Sequence, residues 1–151
     1  MASFKFELSK MGPEWFDMIL CPACNHVVKA INDMVVDQES LVCPICGKEF
    51  DFDRNVTEVF PRLRIQPVPR SMIDYTLSRE GGITMSGAAD KRIFMYALMA
   101  WENVVDSQGK SIKLTSRLKE SLFDESILGI ANFVLLKVQK LQTAKGEQEK
   151  N

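Results

Sequence analysis

The chain of 151 residues carries 19 Lys and Arg against 20 Asp and Glu, a net charge of −1, with 46% apolar and 26% charged residues, ordinary values for a globular chain able to bury its own core. Near-neutrality excludes a global basic field for nucleic acid or an anionic membrane, so any such contact has to be local. The longest apolar runs stop short of the roughly 18 residues of a membrane span, and residues 1–7 lack the apolar stretch of a secretion signal; a cytoplasmic location is expected.

Along the chain, Phe4, Phe6 and Leu8 alternate with Lys5 and Glu7, the period of two of a short strand, and Gly12-Pro13 ends it. Residues 15–20 lead into Cys21-Pro22-Ala23-Cys24, and after 18 residues comes Cys43-Pro44-Ile45-Cys46-Gly47. This C-x2-C-x18-C-x2-C pattern puts two thiolates on each of two tight turns, with enough chain between to run out and back as a hairpin and bring the turns together. The turns call for a permissive residue after the second cysteine of each pair; Gly47 supplies it in the second and Asn25 in the first.

Cys21, Cys24, Cys43 and Cys46 are therefore the candidate ligands of one Zn²⁺. Rubredoxin-like iron, a dithiol exchange pair and a chance cluster of buried cysteines are the alternatives; a lone C-x-x-C can be an exchange motif, whereas two at this spacing point to a metal. Four sulfurs close the coordination shell, so such a metal is structural. His26, the chain's one histidine, is then a surplus ligand and reads as an exposed or supporting imidazole. Residues 26–31, 34–42 and 49–52 read as short extended pieces around an Asn32-Asp33 turn, which with the turns predicts a three-stranded zinc ribbon. Residues 1–60 hold five basic and ten acidic side chains, a balance opposed to binding phosphate.

Residues 61–100 reverse the sign, with six basic and three acidic side chains. Arg62, Arg64 and Arg70 alternate with apolar residues between Pro61, Pro67 and Pro69 and read as an extended basic linker or edge strand. The arginines are candidate contacts for an anionic partner, or partners for the acidic ribbon and guards against edge pairing. Ser71 is placed to cap a helix through Met72, Ile73, Tyr75 and Leu77 that ends at Gly81-Gly82. A second helix, from Ser86 or Asp90, is predicted to carry Ile93, Phe94, Ala97, Leu98, Ala100 and Trp101 on one stripe, widened by Met95 and Met99. Gly109 permits a compact turn over residues 104–112, Thr115 or Ser116 precedes a short helix with Leu118 and Leu122, and Asp124 precedes the strongest helical pattern. There Ile127, Ile130, Ala131, Val134, Val138 and Leu141 share a face, with Leu128 and Leu135 beside it.

The expected fold is thus α+β: a zinc-ribbon domain over 1–60, a basic linker over 61–70, a mainly helical bundle over 71–141 and a disordered tail over 142–151. No H-E-x-x-H, nucleophile elbow or phosphate-binding loop occurs, and Ser107-Gln108-Gly109-Lys110 and Ser116-Arg117-Leu118-Lys119 match S-x-x-K without its companion motifs. A non-catalytic chain is expected. Met95, Met99, Leu128 and Leu135 exceed the stripes that internal packing requires, which makes them candidate partner-binding residues for another protein or a second copy.

Pro67-Val68-Pro69-Arg70 ahead of a helix, a second helix ending in Ala100-Trp101-Glu102-Asn103-Val104-Val105-Asp106-Ser107-Gln108-Gly109-Lys110, then a Leu-rich short helix and a final long one, resembles small proteins encoded among bacteriophage tail genes, the tail-assembly chaperones. The likeness spans residues 62–141 and the pattern Trp-x-x-Val-x-Asp-x-x-Gly-Lys; Asn103 stands where glycine is common, and a ribbon in front is not part of the pattern. It implies a helical protein that recognises another phage protein, such as the tape-measure protein, in the host cytoplasm or the virion. The alternative from the residues alone is a nucleic-acid-associated regulator using residues 62–70.

Overall fold

The computed structural model describes residues 12–55, 59–69, 72 and 87–150. The strand expected over residues 4–8 and, Met72 apart, the helix expected over residues 71–82 lie outside them. The chain is α+β, with strands in its N-terminal part and helices towards its C-terminus. Strands β1 (Glu14–Leu20), β2 (Val27–Ala30), β5 (Arg62–Ile65) and β6 (Leu98–Glu102) form one antiparallel sheet in the order β2-β1-β5-β6, while β3 (Gln38–Val42) and β4 (Glu49–Asp53) form a separate hairpin. Three helices follow from residue 87 on: α1 (Gly87–Ala97), α2 (Ser116–Asp124) and α3 (Ile130–Lys150).

Strand β1 has two partners in succession. Residues 14–17 pair with β5 and residues 18–20 with β2. Where β2 has ended, the Asn32 side chain continues the ladder, its Nδ2 donating to the Trp15 carbonyl at 3.0 Å and its Oδ1 accepting from the Asp17 amide at 3.3 Å. Because side chains alternate across a strand, Phe16 and Met18 enter the main core while Ile19 enters a second, smaller cluster with Met34 and Leu41. β1 is the wall between two apolar clusters.

The cysteine pairs sit in the turns of two hairpins, β1–β2 and β3–β4, which belong to different sheets rather than to one three-stranded ribbon. The reason is β5. The 61–70 segment expected as a linker is extended, but its Arg62–Ile65 portion is an inner strand: Leu63 and Ile65 are fully buried, and its prolines bracket the strand instead of interrupting it. Asp17, Arg62 and Glu102 stand directly opposite one another across β1, β5 and β6.

A second correction concerns residues 98–101, expected to continue a helix. Helix α1 stops at Ala97 and the chain passes directly into β6, where Leu98 pairs with Ile65 and Trp101 with Leu63. Long-range strand pairing overrides the local helical period here. The freed carbonyls at the helix end have partners: Gln66 donates from its amide to Ala97 O at 3.0 Å and from Nε2 to Tyr96 O at 2.9 Å, and Lys119 Nζ donates to Met95 O at 2.9 Å. Burial pushes the Lys119 ammonium below its ordinary range.

After β6, Asn103 takes φ 63, a conformation open to Gly and Asn, and residues 104–112 close as a tight turn with Gly109 at φ 80. Thr115 caps α2, accepting from the Leu118 amide at 3.1 Å. Ile130, Ala131, Phe133, Val134 and Val138 turn one face of α3 into the main core with Ile93, Phe94 and Ala97 of α1 and Leu122 of α2. α3 continues to Lys150, through residues expected to be a disordered tail. Among the described residues no helix is long and apolar enough to cross a membrane.

Candidate metal centre

The two cysteine turns are built alike. In the first, the Asn25 amide donates to Cys21 O at 2.8 Å and the Cys21 amide to His26 O at 2.9 Å; in the second, the Gly47 amide donates to Cys43 O at 3.0 Å and the Cys43 amide to Lys48 O at 2.9 Å. Asn25 and Gly47 take φ 63 and 78, the left-handed conformation that lets the chain leave each turn. The hairpins face each other so that all four sulfurs lie within 4.8 Å of one another, with Cys21 Sγ 3.5 Å from Cys46 Sγ and Cys24 Sγ 3.6 Å from Cys43 Sγ. The sulfurs around a tetrahedral ion with bonds of about 2.3 Å stand about 3.8 Å apart. The donor set and its spacing therefore fit a tetrahedral, thiophilic cation, and the four cysteines can hold a metal ion.

Local electrostatics pull the thiols in opposite directions. Burial pushes the Cys21 thiol up, but the amides of Cys24 and Ala23, the latter 3.4 Å from the sulfur, together with the neighbouring thiols hold it below the ordinary thiol range. The amides of Cys46 and Ile45 bring Cys43 down to about 6 against the opposing effect of burial. Cys24 goes the other way: the His26 amide lowers it, but burial and the three sulfurs around it push it up to about 12. Cys21 and Cys43 are thus held down by amide and thiol hydrogen bonds, while Cys24 is held up by burial and the surrounding sulfurs. Cys21 and Cys43 are buried, Cys24 is half-buried and Cys46 is exposed, so the site opens to solvent on the Cys46 side.

His26 stands outside the sulfur cluster. Its Nδ1 lies 2.8 Å from Val27 O, and the rest of its ring packs on Gly129, where an added Cβ would overlap Cε1 and Nε2. Asp33, just beyond β2, bonds to Lys137 and, at 2.6 Å, to Lys140 of α3. The sequence pattern did not single out these contacts; a glycine at φ 75 immediately ahead of a strongly apolar helix was the available signal for the first.

The other candidate residues are dispersed. Met95 and Leu135 are half-buried against the main core, whereas Met99 and Leu128 are 41% and 38% exposed. Trp101 is half-buried, its Nε1 donating to Ile112 O at 2.7 Å. Arg62 is engaged within the sheet: its guanidinium lies 3.3 Å from Asp17 and 3.8 Å from Glu102 and stacks 4.6 Å from the Trp15 ring centroid. Arg64 is half-buried on the same strand, and Arg70 lies outside the described residues. No family model, curated protein or solved structure matches the chain.

Proposed function

We propose that Cys21, Cys24, Cys43 and Cys46 hold one structural Zn²⁺ in a zinc-ribbon-like unit, and that the chain is a non-catalytic adaptor working through protein–protein contact. The convergence of four sulfurs within 4.8 Å carries this reading. An all-thiolate shell leaves no position for water or substrate, which gives the ion a folding role rather than a chemical one. Met99 and Leu128, with Tyr96 and Leu136, are exposed side chains of the C-terminal half that a protein partner would cover. The resemblance of residues 62–141 to tail-assembly chaperones narrows that partner to a phage tail component such as a tape-measure protein, with a second copy of the chain as the other candidate. Arg62 is committed to Asp17, Glu102 and Trp15, which disfavours the nucleic-acid reading.

Two measurements test the proposal. Elemental analysis of the purified chain should find one zinc per molecule, and cobalt substitution should give the absorption of a tetrahedral thiolate site; iron, or no metal, overturns the assignment. Met99→Glu and Leu128→Glu should release a tail-protein partner or dissociate an oligomer while the far-UV spectrum stays folded. A chain that is monomeric and binds no tail component overturns the adaptor reading.

A further inference from the structure

The first cysteine hairpin touches α3 on both sides of β2. Ahead of β2, His26 closes the turn that carries Cys21 and Cys24, its carbonyl accepting from the Cys21 amide at 2.9 Å. The Val27 carbonyl can only accept, so the 2.8 Å contact makes His26 Nδ1 the donor and fixes the ring. That ring packs on Gly129, the last residue of the 3-10 turn Ile127–Gly129 that opens α3, with no room for a Cβ between them. Beyond β2, Asp33 bonds to Lys137 and Lys140, about two turns into the same helix.

The turn under His26 is strained. Ser126 and Leu128 take φ 50 and 55 and Gly129 takes φ 75, so three of the four residues ahead of α3 are left-handed, two of them carrying a Cβ. Such conformations persist only where the surroundings enforce them. Here the turn runs straight into the buried face of α3, and the His26 ring packs on Gly129 at its end. The backbone that presents the ring is the segment between two metal-ligand candidates and β2, and its freedom depends on whether Cys21 and Cys24 are anchored.

We propose that metal occupancy at the four cysteines is transmitted to the start of α3 through the His26–Gly129 contact, so that loading the site orders the 126–129 turn as well as the two hairpins. This inference rests on the metal reading above. It makes His26 a positioning residue, acting through Gly129 rather than on the ion.

The test uses the full chain, zinc-loaded and chelator-stripped under reducing conditions, followed by amide hydrogen exchange. Stripping should accelerate exchange over residues 126–134 as well as 20–54, and leave residues 116–124 of α2 unchanged. His26→Ala, which keeps all four sulfurs, should abolish the response over 126–134 while still binding one metal. Gly129→Ala should speed metal transfer to a chromophoric chelator on the order of tenfold, and the same substitution in a His26→Ala background should have a clearly smaller effect, since only the cost of a Cβ at a positive φ is then left. Exchange that changes only over 20–54, or a Gly129→Ala effect of equal size with and without His26, overturns the coupling. A chain that holds no metal at the cysteines overturns the metal reading and this inference together, and elemental analysis separates that outcome from the first two.

Discussion

The two apolar clusters on either side of β1 are held together in different ways. Among the described residues, the main core gathers seventeen buried side chains, all but Val68 from the four-stranded sheet and the three helices, from Phe16 to Val138. The other cluster has three, Ile19, Met34 and Leu41, with Phe50 and Phe52 of the β3–β4 hairpin packed on them. A core of the first size can outweigh the conformational entropy of the chain it orders, whereas three residues and a two-stranded hairpin cannot. The four cysteines, which can hold a metal ion, lie where burial is insufficient, and on the proposed reading the ion would supply the missing cross-link between the hairpins. The helical side is held by apolar burial, and the hairpin side has four cysteines placed to be held by coordination, with β1 belonging to both.

The largest effect should come from breaking the coordinated side. Structural zinc sites of this kind contribute on the order of 10 kcal/mol at neutral pH, so Cys43→Ser or exhaustive chelation should unfold β3–β4 and expose residues 34–54 to protease, while most of the helical circular dichroism survives. Loss of the entire helical signal in one transition would show that the metal holds both clusters. The converse break is Phe94→Ala, which empties a fully buried position between the sheet and α2, where Phe94 lies 5.7 Å from Phe123. It should cost about 3–5 kcal/mol in urea denaturation and leave the metal content of the folded protein at one per chain.

This division also explains what the sequence disclosed. The cysteine turns were legible because their chemistry is local: spacing, proline and a permissive residue after each pair specify the turn, and Asn25 and Gly47 take the positive φ that the spacing called for. The helical faces of residues 116–124 and 130–141 were legible from apolar periodicity for the same reason, whereas Ile127 and Leu128, expected on the long helix, lie in the turn ahead of it. Strand β6 was not, and β5 only as a linker or edge strand, because their place in the sheet depends on partners 33–51 residues away in sequence. Arg62-Leu63-Arg64-Ile65 has the alternation of a strand, but only Trp15, Asp17 and Glu102 show that its arginines face side chains of the same sheet. Leu98-Met99-Ala100-Trp101 satisfies a helical period and a strand period equally, and pairing with β5 decided between them.

A smaller effect sharpens the role of that sheet. Arg62→Ala removes a guanidinium stacked on Trp15 and flanked by Asp17 and Glu102, and should cost about 1 kcal/mol, since half-exposed ion pairs and cation–π contacts are each worth a fraction of that to about that much. Thermal denaturation measures it. Fluorescence anisotropy with duplex DNA or single-stranded RNA at about 150 mM salt should show weak binding that the substitution leaves unchanged. A large drop in nucleic-acid affinity without loss of stability would return Arg62 to the role of an anionic-ligand contact.

The smallest expected effect concerns the tether between the two sides. Burial pushes the Asp33 carboxyl up, but hydrogen bonds and charge from Lys137 and Lys140 outweigh it and hold the group below its ordinary value of 3.8. A carboxylate with a depressed folded-state pKa contributes stability that is fully present above its unfolded value and disappears as pH falls through the folded one. Asp33→Asn should therefore cost under about 1 kcal/mol at pH 7, a partly exposed pair being screened by solvent. The difference from wild type should shrink as the pH drops below about 4. Urea melts of both proteins, loaded with metal and with the bound metal measured at each pH, give the comparison directly. A difference that stays constant down to pH 3 would show that Asp33 holds β2 to α3 through shape rather than charge, and that the two sides of the molecule are joined by packing alone.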